Sequence, residues 1–224
     1  MSTDADIAPV AALLGDPARA DIVTALNDGR SLPAGELARR AGIAPSTASE
    51  HLARLVAGGL LAVETTGRHR YFRIANADVA HAIEALSLLA RPRPPRSLRE
   101  ASIGDALAAA RTCYDHLAGE LGVALTDALL RERALEERDG VFALGPNAAA
   151  VLGRLGVDPG ALPARRPAVR RCNDWSERRP HLAGALGAAI CTRAREQRWI
   201  EPLPGSRAVK VTAAGRRAFA SLGL

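Results

Sequence analysis

Hydrophobic positions recur every three to four residues through most of the first ninety positions, and every second residue in one short stretch. Ile7, Val10, Leu13 and Leu14 predict a helix. A second helix starts at Asp16-Pro17, where an acceptor side chain precedes the ring tolerated at a first helical position, and stops at Gly29. The run "ELARRAGIAPSTASEHLARLVAGGLL", 36–61, predicts a short helix, a turn at Gly42 and a further helix opened by Pro45 and Ser46. In that further helix Ala48, Leu52 and Leu55 share one face, leaving Ser46, Thr47, Ser49, Glu50 and Arg54 on the other. This is the layout of a helix-turn-helix. Next, "LAVETTGRHRYFRI" alternates apolar and polar residues on both sides of Thr66-Gly67, predicting a β-hairpin tipped by Arg68, His69 and Arg70. Asn76 then caps a helix with the stripe Val79, Ile83, Leu86 and Leu89.

The pattern breaks at "RPRPPR", 91–96, where prolines remove donors and restrict the residues before them, predicting an extended linker. Three parts follow: 1–90, the linker 91–96, and a separate domain at 97–224. The last part carries an internal echo. "RTCYDHLAGELG", 111–122, returns as "RRCNDWSERRPHLAGALG", 170–187, and the match runs without a gap from His116/His181 to Glu136/Glu201. "VFAL" at 141–144 then corresponds to "VKVT" at 209–212, which predicts helix, turn, strand and helix in each copy. The reading is a duplicated winged-helix-like domain with repeats at about 111–157 and 170–224, packed about a pseudo-twofold axis. Gly119/Gly122 and Gly184/Gly187 are expected where the copies cross as helices.

Composition narrows the class. Hydrophobic residues make up 48% of the 224 positions but aromatics only 3%, so the fold class expected is mostly α with small β-hairpins (α+β) and an aliphatic core. The first residues lack a basic region ahead of an apolar one, and nowhere do eighteen apolar residues run together, so the expectation is a cytoplasmic chain without a membrane partner. Cys113, Cys172 and Cys191 are then expected to be reduced. The net charge of +6 suits a polyanion. Arg39, Arg40, Arg54, Arg68, Arg70 and Arg73 outnumber Glu50 and Glu64 between 39 and 73, which points to phosphate contact there.

Short polar side chains at the N-terminal end of a helix suit groove reading, and a cationic hairpin tip suits phosphate or minor-groove contact. The candidate DNA-contacting residues are Arg40, Pro45, Ser46, Thr47, Ser49, His51, Arg54, Arg68, His69 and Arg70. "GDPARADIVTAL", "PSTASEHLARLVAGGLL" and "GRHRYFRI", in register over roughly 5–90, resemble the winged-helix domain of the ArsR family of bacterial transcriptional regulators. The resemblance implies a homodimer paired through its first and last helices, a double-stranded operator DNA partner, and repression relieved by an effector. It also implies a recognition helix at Pro45–Val56. Metal-sensing members carry cysteines in the helix before the turn, but "GELARRAG" has none; His81 and Glu84 offer half of another arrangement and read better as a surface pair.

The signal is expected in the C-terminal domain. A pseudo-twofold would bring Cys113, Asp115 and His116 towards Cys172, Asp174 and His181, a donor set for a metal ion or an oxidant-sensing thiol pair. Plain packing is the competing reading, with Asp115 and Asp174 as helix N-caps and Asp174 with Glu177 as a capping box. Trp175 and Trp199 could instead line an organic effector pocket. No cofactor is named by the sequence. Without GxGxxG, P-loop, HExxH or GxSxG, no enzyme is expected. The alternative is a thiol-dependent or metal-handling protein whose winged helix serves protein interaction.

Overall fold

Asp16 sets the first corner of the chain. Its carboxylate accepts from the Arg19 amide at 2.9 Å, separating α1 (Ala8–Leu14) from α2 (Pro17–Leu26) as the Asp-Pro pair predicts. The computed structural model describes residues 4–91, 94–95 and 97–224. Internal contacts divide the chain into two units, Met1–Ile83 and Glu84–Leu224, with the division inside one helix.

In the first unit, β1 (Leu32–Pro33) leads into α3 (Ala34–Ala41), which Gly42 ends in the left-handed region at φ 66 while the Ile43 amide reaches back to the Ala38 carbonyl. This closes the turn and releases the chain into α4 (Pro45–Ala57). β2 (Leu61–Thr66) and β3 (His69–Ile74) pair with Thr66 opposite His69, so the wing turns on Gly67 and Arg68, with Gly67 at φ 60. β1 adds on the other side of β3, giving the order β1-β3-β2; a two-residue strand containing proline offers no alternation to read. Ile22, Leu26, Leu37, Leu52, Leu55 and Ile74 are sealed from solvent, each worth roughly 1.5–3 kcal/mol of burial. Asn76 caps α5 (Ala77–Leu89), accepting from the Val79 amide. Ala80 and Ile83 are buried, whereas Leu86 and Leu89 are exposed.

In the second unit, Ser97 caps α6 (Leu98–Ala109). The order hairpin, helix, hairpin, helix then occurs twice. First come β4 (Arg111–Cys113), β5 (His116–Ala118), α7 (Glu120–Arg131), β6 (Leu135–Arg138), β7 (Val141–Leu144) and α8 (Ala148–Gly153). After a short 3-10 turn at Pro159–Ala161 come β8 (Arg170–Asn173), β9 (Pro180–Ala183), α9 (Gly184–Glu196), β10 (Ile200–Pro202), β11 (Val209–Val211) and α10 (Ala213–Ala220). One core, including Leu117, Leu129, Leu152, Leu186, Ile190 and Phe219, runs through both series.

This corrects the expected helix over the His-Leu-Ala-Gly stretches, which are strands. Strands of three and four residues, buried at all but one position, show no alternation, so glycine spacing gave the only signal. Gly119 (φ 76) and Gly184 (φ 84) make the strand-to-helix corner, and of the four glycines only Gly122 and Gly187 lie wholly among helical neighbours. Of the expected linker, Pro92, Arg93 and Arg96 lie outside the described residues. Among the described residues no helix is long and apolar enough to cross a membrane.

Candidate nucleic-acid interface and a buried cysteine-histidine cluster

Burial of Ala48, Leu52 and Leu55 fixes the rotation of α4, and that rotation leaves Pro45, Ser46, Thr47, Ser49 and Arg54 exposed. Pro45 stands at the first helical position and no side chain caps the helix, so the first amides of α4 point outward with the positive end of its dipole. Ser49 donates to the Pro45 carbonyl at 3.0 Å. Arg68, His69 and Arg70 are exposed on the wing, with the Arg70 guanidinium 5.4 Å from the centre of the Phe72 ring. Two candidates sit elsewhere. Arg40 is tied to Glu36 on its own helix at 2.7 Å. His51 turns inward, its Nδ1 3.4 Å from Arg19 Nη1 and 4.0 Å from Asp16, while Arg19 also donates to the Leu13 and Ala12 carbonyls.

In the second unit, the two hairpins each set a cysteine directly opposite a histidine: Cys113 faces His116 across β4–β5, and Cys172 faces His181 across β8–β9. The packing is reciprocal, with α7 against β9 and α9 against β5. A Cβ on Gly122 would lie 3.8 Å from His181 Cβ, and one on Gly187 3.1 Å from His116 Cβ. Gly187 makes the tighter of these two approaches, and one ligand atom from each of Cys113, His116, Cys172 and His181 lies within 4.8 Å of every other. All four residues are buried. His116 Nε2 is 3.1 Å from His181 Nε2, their rings tilted by 30°. The other ring nitrogens face carboxylates: His116 Nδ1 is 3.3 Å from Asp115, and His181 Nδ1 is 3.6 Å from Asp174.

Asp115 and Asp174 thus flank the cluster from outside and cap no helix. Asp174 accepts from the amides of Ser176 and Glu177 inside the β8–β9 loop and from the Gly119 amide at 2.7 Å. It also receives the Arg111 guanidinium at 2.8 Å, and both side chains are 0% exposed. Against the cost of burial, Arg111 holds the Asp174 carboxyl well below the usual carboxylate range. Arg111 lies over the Trp175 ring at 4.6 Å and 3.5 Å from Glu84, which is buried and not a surface residue. Sequence reasoning passed over Arg111, since an arginine in so arginine-rich a chain reads as surface. The Cys172 contact and burial push the Cys113 thiol far up. Burial favours neutral His116, but the Cys113 sulfur and Asp115 outweigh it and raise the ring to about 9. Trp199 packs edge-on against Phe219 in the core. The gap among Leu117, Gly122, Leu182 and Gly187 leaves no room for a water.

A helix-turn-helix domain family matches residues 14–64. The HTH-type transcriptional regulator YdfF of Bacillus subtilis (strain 168) is 43% identical over 215 residues, spanning 96% of this chain and 95% of YdfF. The chain belongs to the family of HTH-type transcriptional regulators that includes YdfF. Among solved structures, the homodimeric winged helix-turn-helix DNA-binding domain of Mb0332 from Mycobacterium bovis, a possible ArsR-family regulator, is 28% identical, covering 40% of this chain and 89% of that one with a TM-score of 0.35. HlyU from Vibrio cholerae N16961 is 27% identical, covering 36% and 87%, with a TM-score of 0.34. For this HTH-type regulator the match to YdfF along nearly the whole chain means that the second unit is shared by the relative and is not an appendage of this sequence.

Proposed function

We propose that the chain is a homodimeric, sequence-specific repressor of transcription whose C-terminal unit receives the releasing signal. The observation that carries the DNA part is the fixed rotation of α4, which leaves Ser46, Thr47 and Ser49 exposed at an uncapped helix N-terminus, with Arg68 and Arg70 on a cationic wing. Hydroxyls at that end read base edges, and the wing arginines hold phosphates or the minor groove. His51 is engaged by Arg19, and Arg40 by Glu36 on its own helix. Homodimerisation is supported by α1, which buries none of its residues and exposes Ile7 and Val10 beside it and within it, and by Leu86 and Leu89 on α5.

The C-terminal unit reads as a duplication. The non-glycine residues Arg133 (φ 59) and Arg198 (φ 51) take the left-handed conformation 65 positions apart. In the same register the Ala134 amide donates to the Leu129 carbonyl and the Trp199 amide to the Ala194 carbonyl. Unusual backbone repeated at one offset favours two copies of one unit about a pseudo-twofold axis. The cluster of Cys113, His116, Cys172 and His181 lies where those copies meet, which favours it as the point where a signal enters.

Gel shifts on DNA upstream of the chain's own gene, run from 50 to 200 mM salt, test the reading. Tight binding whose log affinity falls with log salt by about 0.9 per phosphate contacted is expected. Binding indifferent to salt and to sequence would sink it, and a reporter silent to the chain's removal would sink the repressor role.

A further inference from the structure

Four donors converge at one buried point in the second unit, and their arrangement fits a metal ion better than a packed core. We propose that Cys113 Sγ, His116 Nε2, Cys172 Sγ and His181 Nε2 bind a single zinc(II)-class ion in a closed tetrahedral site that fastens the β4–β5 hairpin to the β8–β9 hairpin.

Four features carry this. The first is distance: with Zn–N of 2.0–2.1 Å, the nitrogen–nitrogen edge of a tetrahedron is about 3.3–3.4 Å, and the two Nε2 atoms stand 3.1 Å apart. The sulfur–sulfur edge is about 3.8 Å, so a set whose members all lie within 4.8 Å of one another closes on an ion by moving about 1 Å or less. The second is charge. Two thiolates and two neutral imidazoles cancel a divalent cation, and only a neutral assembly is cheap to bury where every ligand is sealed from solvent.

The third is orientation. Asp115, 3.3 Å from His116 Nδ1, and Asp174, 3.6 Å from His181 Nδ1, stand as carboxylates on the Nδ1 side of each ring, which leaves each Nε2 facing the centre. Their own charges are matched by Arg166 at 2.6 Å and Arg111 at 2.8 Å, so the outer carboxylates add no net charge. The fourth is symmetry of supply, since each hairpin gives one cysteine and one histidine from directly paired strand positions. As the ion enters, the Cys113 and Cys172 thiols and the Nε2–H shared by the histidine pair give three protons to solvent, leaving two thiolates and two neutral imidazoles to bind. All four positions are then filled by protein, which makes the site a clamp and leaves no open position for hydrolytic chemistry.

The binding is independent of the DNA reading and is measured without DNA. Full-length protein, reduced and stripped of metal, is titrated with cobalt(II) and then zinc(II). One equivalent per chain is expected, with the intense visible bands of tetrahedral cobalt and thiolate-to-cobalt charge transfer, both erased by zinc. X-ray absorption of the zinc form should give two sulfur and two nitrogen neighbours at about 2.3 and about 2.0 Å. Cys113→Ser with Cys172→Ser should abolish uptake, while Cys191→Ala keeps it. No cobalt spectrum from the reduced wild type, an all-nitrogen and oxygen shell, or full uptake by the double variant would overturn the proposal. So would a Cys113–Cys172 disulfide whose reduction restores no metal binding. If the double variant does not fold, the wild-type spectra decide alone.

Discussion

His116 and His181 meet nitrogen to nitrogen, Nε2 to Nε2 at 3.1 Å, in a place sealed from water. One ring must donate and the other accept, so without an ion the pair shares one Nε2 proton. With a zinc ion between them both lone pairs turn to the metal and that proton leaves. Nitrogen-resolved proton NMR on reduced protein should therefore show a protected Nε2–H resonance that vanishes at one equivalent of zinc, while resonances from both Nδ1–H groups remain. Survival of the Nε2–H signal in the loaded protein would contradict ligation through these atoms.

The contrast between the two units shows what a sequence discloses. In α4 the apolar residues Ala48, Leu52 and Leu55 recur at helical spacing over thirteen residues, so its buried face and its exposed Ser46 and Thr47 can be read directly. The pairing of Cys113 with Cys172 was also legible, through the repeat that contains both. Its geometry was not. β4 and β5 are three residues each, too short for periodicity, and their turn includes Tyr114 at φ 58, a conformation its residue type does not announce. Cys-x-x-His and Cys-x8-His look unrelated as spacings, yet strand register makes them equivalent, because each is a cross-strand pair. Arg111 and Glu84 were hidden for another reason: burial of Arg111 depends on a partner 63 residues away, Asp174, and that of Glu84 on Arg111 and Arg207, and no local pattern encodes either.

That buried pair makes a sharp comparison possible. Arg111 and Asp174 are both 0% exposed, whereas Arg166 and Asp115 are each 29% exposed. Removing one partner of a buried pair strands the other charge and costs about 3–5 kcal/mol, while a solvated pair is worth about 1 kcal/mol or less. Denaturant unfolding of metal-free protein should rank Asp174→Ala far below Asp115→Ala. Similar midpoints for the two variants would mean that Arg111 finds water or another acceptor.

Cys191 supplies a pH dependence away from the cluster. Burial pushes its thiol up to about 11, above the roughly 8.5 of an unfolded cysteine. The fold therefore favours the protonated form. The contribution is fully present below about pH 8.5 and is lost as pH rises towards the folded value, at about 1.4 kcal/mol per unit, because the unfolded chain releases its proton first. Stability followed from pH 8 to about 10.5 should fall more steeply for the wild type than for Cys191→Ala. Parallel curves would show that Cys191 is not held neutral by the fold.

The exposed residues of α4 and the wing should separate in their effects on DNA. Arg68→Ala and Arg70→Ala are expected to weaken binding to every sequence alike and to lower the salt slope by about 1 each, on the proposed reading that each holds a phosphate. Ser46→Ala with Thr47→Ala should cost about 1–3 kcal/mol on the preferred site and little on others, flattening sequence preference. His51→Ala should instead lower stability, because its ring packs on Arg19 and Asp16. A competition series over randomised sites, read at two salt concentrations, distinguishes the three classes; equal losses across all of them would contradict the division.

Gly122 tests the close packing of α7 on the β5 strand that carries His116. A Cβ there would stand 2.5 Å from the Leu117 carbonyl oxygen, which is backbone of the β5 strand that carries His116 and cannot swing aside. Gly153, at the end of α8, has nothing within 4 Å of the same position. Alanine normally stabilises a helix over glycine by roughly 0.5–1 kcal/mol, so Gly153→Ala should be neutral or stabilising. Gly122→Ala should cost about 1–3 kcal/mol through overpacking and, by shifting β5, weaken cobalt uptake as well. If Gly122→Ala kept both stability and metal affinity, α7 would have to sit farther from the Leu117 carbonyl of β5 than this contact requires.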